Sequence, residues 1–384
     1  MTPSGYSITQ YGKMVTCEPR MSAFAEALRL AVTPGCSVID LGAGPGIFAL
    51  LACQFGAGSV VAIEADSSVE LLRQMAADNG YQDRIAIFQG LSTDYHPASR
   101  ADVVISDLRG GLPLYEAHIP TIVDARDRLL APGGALIPAR DILRLALAQS
   151  RDAHGPSEEP WLRNRFGLNL SAGHRYAQNS IGKIYLDSAD LISPAADLVT
   201  LDYYRIANPD FSAVVDLFPD RAGTAHGFVV WFDAELAPGV GFSNAPGQPR
   251  QVYEQTFFPF ATALQVAPGD RIEAELTAKL IDAHYVWAWS TQHFRAGASA
   301  PESQTRQSSF LGKVLSPTSL EARSSTFVPS VGDRLELDRS CLSLIDGTRS
   351  LGDIAAEMRS RFPHRFATVA EALDHAANLT ARYR

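Results

Sequence analysis

Ser37-Val-Ile-Asp40-Leu-Gly42-Ala-Gly44-Pro-Gly46-Ile-Phe48, with Ser59-Val-Val-Ala-Ile-Glu64 after it, decides the reading of this chain. An apolar run ends in an acid, three glycines alternate, and a helical pattern from Ile47 to Gln54 leads to a second apolar run that also ends in an acid. That order spells a strand, a tight turn, a helix and a parallel strand, with ligand-facing groups at the carboxyl ends of both strands. The alternating glycines let the backbone pass close to a bound molecule. Glu64, closing the second strand, is placed to accept the ribose hydroxyls of an adenosine.

Two cofactor classes share this layout. Gly44-Pro-Gly46-Ile-Phe-Ala49 fits the looser dinucleotide pattern, in which a pyrophosphate rests on a helix N-terminus, so the glycines alone leave both classes open. Asp40 favours one of them. A carboxylate beside the glycine turn repels a pyrophosphate and suits a cofactor carrying an ammonium group. S-adenosylmethionine carries a sulfonium, an amino group and a ribose, and no phosphate. The run from Asp40 to Gly46 resembles motif I of the class I methyltransferases, which implies S-adenosyl-L-methionine as cofactor.

The chain has 384 residues, so two or three domains are expected. Its composition, 46% hydrophobic and 20% charged, is that of an ordinary globular protein. A net charge of -9 disfavours a nucleic-acid substrate held through phosphates. Cys17, Cys36, Cys53 and Cys341 form no Cys-x-x-Cys pair, so neither a disulfide framework nor a metal site is expected. The opening Met1-Thr-Pro-Ser-Gly-Tyr6 has neither a basic start nor an apolar core, and no apolar run is long enough to span a bilayer. A cytoplasmic enzyme with no membrane partner is the expectation.

Residues 20–147 alternate short apolar runs with helical patterns, the rhythm of an α/β, doubly wound (Rossmann-like) parallel sheet. Strands are expected at 38–40, 60–64, 85–88 and 103–106, and helices at 21–32, 69–79 and 124–130. Past residue 140, β-branched and aromatic runs bounded by turn residues predict a β-barrel-like domain, with strands at 227–232, 252–258, 271–277 and 284–289. Residues 292–309 are polar and read as a linker. Helical patterns then return, and Ser350-Leu-Gly-Asp353 has capping-box spacing. The expected domains are 1–147, 148–295 and 310–384.

Around this frame the chain resembles the protein arginine methyltransferases. Ser106-Asp107-Leu-Arg109-Gly110-Gly-Leu-Pro-Leu-Tyr115-Glu116 carries two acids at the spacing of that family's double-glutamate hairpin, with Asp in first place. Met14-Val-Thr-Cys17-Glu-Pro-Arg20 is similar to the family's Met-x-x-Asp-x-x-Arg helix, with Cys17 where Asp is usual. Trp161-Leu-Arg-Asn-Arg-Phe-Gly167 is similar to the start of the family's dimerisation arm, and the resemblance runs from about Tyr6 to residue 290. It implies Asp107 and Glu116 as catalytic acids and Arg20 as partner of the cofactor carboxylate, under a lid lined by Tyr11 and Met14. Asp40, Gly42, Gly44, Gly46, Glu64, Ala65, Leu91 and Ser92 complete the implied cofactor set, with no metal. It also implies a homodimer formed through an arm at 160–195, whose apolar residues Trp161, Leu162, Phe166, Leu168 and Leu170 a monomer covers poorly.

Two carboxylates suit a guanidinium acceptor. That group is permanently protonated and delocalised, hence a poor nucleophile. Contacts from two acids fix its plane and leave one nitrogen aimed at the methyl group. The expected reaction is methyl transfer to a nitrogen, arginine or amine, of a peptide or protein. The alternative is a small-molecule N- or O-methyltransferase in which Arg109 recognises an acidic substrate. Arg109, lying between the acids, also offers a plainer outcome in which they are neutralised internally as a salt-bridged loop. Val252-Tyr253 stands where the family has a His-Trp pair. His96 and His118, near the site in sequence, read more readily as packed or surface residues than as bases.

The segment from Cys341 to Pro363 is similar to the small winged-helix domain that binds precursor peptides in pyrroloquinoline-quinone biosynthesis. That resemblance implies peptide recognition; a helical cap on the barrel is the alternative.

Overall fold

A computed structural model describes residues 5–163, 166–330 and 332–383; the opening Met1–Ser4, and Asn164 and Arg165 of the arm motif, lie outside the described residues. After α1 (Ile8–Val15) and α2 (Glu18–Ala31), the chain lays down β1 (Ser37–Leu41), α3 (Ile47–Gln54), β2 (Ser59–Glu64), α4 (Val69–Asp78), β3 (Ile85–Gln89), β4 (Ala101–Ser106), α5 (His118–Asp124) and β5 (Leu130–Ile137). The five strands form a parallel sheet in the order β3-β2-β1-β4-β5. Buried Val38, Ile39, Leu41, Ala62, Ile63, Val103, Val104 and Ile105 make these strands almost continuously apolar, as a sheet covered on both faces requires. The strand order reverses between β1 and β4, so the ends of those two strands flank the crevice where ligands of such sheets bind. The helix expected at 124–130 instead runs over His118–Asp124 and continues as a π-helical turn, Ala125–Leu129.

The β-rich region begins at residue 140, where the β-branched runs begin in the sequence. β6 (Arg140–Ala148), expected to lie mostly in the cofactor domain, joins a sheet with β7 (Gly182–Ile184), β8 (Ala196–Asp202), β10 (Gly223–Ala237), β11 (Val240–Ser243) and β12 (Gln255–Val266). β9 (Phe211–Leu217), β13 (Arg271–Ile281), β14 (His284–Phe294) and β15 (Ser303–Ser308) form a second sheet. The strand expected from 252 starts at Gln255, because Glu254 takes a left-handed turn conformation with φ 58°. Phe258 meets Trp287 and Trp289 edge-on, with centroids 5.2 and 5.4 Å apart, and the parallel-sheet and β regions share one continuous core.

The linker expected at 292–309 is not one. It holds the end of β14 and all of β15, whose buried Gln307 bonds the backbone of Ala261 and Gln178. A polar strand at a sheet edge carries no apolar signature to read. Within the β region, α6 (Arg151–Leu162) and α7 (Ser171–Ala177) form a helical pair packed so closely that a β-carbon at Gly173 would lie 2.0 Å from Trp161 Cε3.

The chain divides into two compact units at Val314–Leu315. The second holds an exposed α8 (Pro317–Glu321), and α9 (Asp333–Leu342), α10 (Leu351–Arg361) and α11 (Val369–Ala381) packed around Leu337, Cys341, Ile354, Met358, Ala372 and Leu379. Ser350 and Asp353 make the expected capping box. No strand occurs among the described residues of this unit, so the wing implied by the winged-helix resemblance is missing there. Among the described residues no helix is long and apolar enough to cross a membrane.

Candidate active site

The glycine turn leaves β1 at the switch point. Asp40 is fully buried: its Oδ2 accepts from Ala49 N at 3.0 Å, in the first turn of α3, while Oδ1 has no hydrogen-bond partner among the described residues. Burial pushes this carboxyl up to about 7, against the Ala49 hydrogen bond. Gly42 and Gly44 adopt φ 66° and 52°, where a β-carbon would meet Leu108 Cδ2 at 2.3 Å and Tyr11 Cε1 at 2.9 Å. Both backbone demands exclude other residues. Gly46 caps α3. Tyr11 thus roofs the turn from α1, its hydroxyl donating to Ser68 Oγ at 3.3 Å.

Glu64 closes β2 as the sequence indicated. Its Oε2 accepts from Gly44 N at 2.9 Å and its Oε1 from Asp66 N at 2.8 Å. An ionised carboxylate has about four acceptor sites, so two remain for ribose hydroxyls. Ala65 follows it, and the exposed Leu91 and half-buried Ser92 lie just past β3, bringing a third strand end to the same rim. These groups fit the expected cofactor. A buried carboxylate oxygen without a donor suits an ammonium group, and two acids at the turn suit a ligand without phosphate.

The hairpin after β4 is built differently. Asp107 Oδ2 accepts from Arg20 Nε at 2.7 Å, Arg20 Nη2 at 2.6 Å and the Tyr253 hydroxyl at 2.6 Å. Oδ1 accepts from Arg109 Nε at 3.1 Å. Burial alone would raise this carboxyl, but Arg20 and Arg109 with the Tyr253 hydrogen bond hold it at about 2. Glu116 is exposed and sits at φ 42°, a strained conformation for a residue with a side chain and one that clusters at functional sites. Tyr115 beside it is pushed up to about 12 by burial and by its hydrogen bond to Glu116. Tyr6 is raised first by burial and then by the charges of Asp107 and Glu116, which places its hydroxyl in the field of both acids.

Arg20, expected on the cofactor carboxylate, bonds Asp107 in this structure; its Nη1 holds the Met14 carbonyl at 3.3 Å and the Met21 sulfur at 3.0 Å. Arg109 does not bridge the two hairpin acids. It pairs with Asp107 and, through Nη1 at 2.9 Å, with Asp141, and its side chain is wholly buried, so it is closed to an acidic substrate. His118 is a packed residue, and His96 is exposed. Trp231, Trp287 and Trp289 are core residues. The sequence reading missed Asp141 and Tyr203, and treated Tyr253 only as a departure from the family. An acid alternating into the apolar run Asp141-Ile-Leu-Arg-Leu-Ala-Leu147 was the available signal for the first.

Residues 153–284 match the family model described as the arginine methyltransferase oligomerization subdomain, and residues 22–137 that of the ribosomal protein L11 methyltransferase. The chain is 27% identical over 247 residues to protein arginine N-methyltransferase 1 of Saccharomyces cerevisiae, covering 62% of this chain and 71% of that one. It is 28% identical over 248 residues to the probable protein arginine N-methyltransferase 1.2 of Arabidopsis thaliana, covering 62% and 67%. Among solved structures, the Trypanosoma brucei PRMT1 enzyme-prozyme heterotetrameric complex with AdoHcy superposes with a TM-score of 0.72 at 20% identity, covering 79% of this chain and 98% of that one. Arabidopsis thaliana protein arginine methyltransferase 10 gives 0.69 at 20% identity, covering 79% and 97%. The fold is the one these structures share: a parallel-sheet Rossmann-like domain, then an antiparallel β domain. By sequence and fold together the chain is a methyltransferase.

Proposed function

We propose that this methyltransferase transfers the methyl group of S-adenosyl-L-methionine to a guanidinium nitrogen of arginine in a peptide or protein. The enzyme is an S-adenosylmethionine-dependent N-methyltransferase. One observation carries the choice of acceptor. Asp107 and Glu116 stand on the hairpin at the end of β4, across the switch point from the Asp40–Gly46 turn. The cofactor, when bound, supplies an electrophilic methyl on a sulfonium. Asp40 and Glu64 are the residues for its amino group and ribose, and Arg20, exchanging its contacts with the Met14 carbonyl and the Met21 sulfur, for its carboxylate. Asp107 is held as an anion, and Glu116 presents a second carboxylate at the surface. Together they hold the acceptor's plane, and positioning supplies most of the rate.

The burial of Arg109 against two aspartates removes the support for an acidic small-molecule substrate. The reading extends to a homodimer joined through the arm at 160–195, supported by the oligomerization-subdomain match and by exposed Leu162 and Tyr176. The C-terminal unit is read as a peptide-recognition module; its own core and the exposed Leu335, Ile345 and Leu373 support a binding role. The test is incubation with methyl-labelled donor and a peptide carrying arginine, beside the same peptide with lysine. Label as methylarginine in the first peptide alone is expected. Label on lysine, or none while the demethylated cofactor binds, would set the reading aside.

A further inference from the structure

Behind the hairpin lies a chain of buried polar groups that the proposed reaction does not touch. Arg109 Nε donates to Asp107 Oδ1 at 3.1 Å and its Nη1 to Asp141 Oδ1 at 2.9 Å. The Tyr203 hydroxyl donates to Asp141 Oδ2 at 2.5 Å, and His118 Nε2 lies 3.1 Å behind it. Burial, with Arg109 adding to it, pushes His118 down to about 3, so the ring is neutral. Tyr203 spends its proton on Asp141; His118 therefore donates from Nε2 to the tyrosine oxygen. Its bare Nδ1 is then the atom left without a partner, as observed.

This chain has a fixed end and a free end. Asp141 sits inside β6, paired with Ala234 of β10 on one side and Leu201 of β8 on the other. The Arg109 guanidinium is boxed by Phe24, Phe232, Phe242 and Tyr253, 5.3 to 5.7 Å from their ring centres. At the free end, Asp107 Oδ1 accepts among the described residues only from Arg109 and keeps one acceptor site, whereas Oδ2 is filled by Arg20 and Tyr253. Stability alone does not explain an arginine here, because a buried ion pair is often no better than apolar side chains of its volume. A planar fork does what an apolar group cannot: it fixes the angle between two carboxylates.

Taking the acceptor reading above as given, we propose that Arg109, Asp141 and Tyr203 are positioning residues that lock Asp107 with its Oδ1 available to the acceptor nitrogen. Full-length Arg109→Lys and Tyr203→Phe variants test this through melting temperature, affinity for S-adenosylhomocysteine, and kcat and KM for an arginine peptide. Lysine keeps the charge but lacks the planar fork that sets the angle between the two carboxylates. Both variants should bind S-adenosylhomocysteine within about twofold of wild type while kcat/KM for the peptide falls about tenfold. Wild-type kcat/KM in Arg109→Lys, or a lowered melting temperature with unchanged kcat/KM in either variant, would overturn the proposal. If Arg109→Lys does not fold, Tyr203→Phe, which removes a single hydroxyl, decides alone. If wild type binds S-adenosylhomocysteine yet methylates no arginine, the acceptor reading fails separately. The lock is then judged by hydrogen exchange: faster exchange confined to residues 107–116 in Tyr203→Phe supports it, and unchanged exchange overturns it.

Discussion

The glycine turn and the acid hairpin face one crevice, yet treat their buried carboxylates in opposite ways. Asp40 keeps an oxygen without a partner and is pushed up to about 7 by burial. Asp107, whose side chain is 6% exposed, is bonded by two arginines and a tyrosine and held at about 2. The first is left incomplete, as the proposed cofactor site requires. The second is a site completed in advance, whose orientation is fixed before anything binds.

Replacing each acid by its amide is the sharpest way to break that contrast. Asp107→Asn leaves Arg20 and Arg109 facing each other without their shared counter-charge, and should cost about 3–5 kcal/mol in urea unfolding at pH 8. Asp40→Asn removes a buried charge that nothing neutralises and should cost nothing or stabilise. Equal losses in the two variants would dissolve the distinction.

Next in size is the effect of crowding the turn. Gly44→Val puts a branched side chain at φ 52° against Tyr11, and should weaken S-adenosylhomocysteine binding about a hundredfold, roughly 2.7 kcal/mol. Calorimetry measures it, and wild-type affinity would show that the turn does not approach the cofactor.

The two acids should also have opposite pH signatures. Asp40's folded pKa lies above its unfolded value, so its contribution to stability is present below about pH 4 and fades as pH rises towards 7. Asp107's is depressed, so its contribution is present above about pH 4 and is lost as pH falls towards 2. An ammonium ligand favours ionised Asp40, so S-adenosylhomocysteine affinity should rise by up to about tenfold per pH unit below 7 and level off above it. Asp40→Asn should flatten that slope, as calorimetry from pH 5.5 to 8 would show. A slope unchanged in the variant would move the ammonium site elsewhere.

The smallest change concerns assembly. Wild type should scatter light as a dimer at micromolar concentration, and Leu162→Glu with Tyr176→Glu should shift it to monomer with the cofactor affinity intact. A wild-type monomer would end the arm proposal.

How far the sequence speaks differs between the two regions for a physical reason. The turn is a local demand: glycines at fixed offsets, an acid at each strand end, all within residues 40–64 and all placed as read. The hairpin shows its own acids in the sequence but not what holds them. Asp107 is bonded by Arg20 and Tyr253, respectively 87 and 146 positions away, and Arg109 by Asp141, 32 positions on. Such pairings come from tertiary packing and leave no periodic trace. The same holds for β15, whose polar alternation hides an edge strand. A lone Arg between two acids invited the nearest pairing; the fold sends one end of it to a strand of another sheet.

In the proposed reaction the hairpin handles the acceptor while the turn handles the cofactor. Glu116→Gln tests it in one preparation by measuring arginine-peptide turnover and S-adenosylhomocysteine affinity together. Turnover should fall about a hundredfold or more with affinity within about twofold of wild type. Wild-type turnover, or turnover and affinity lost in equal measure, would contradict it.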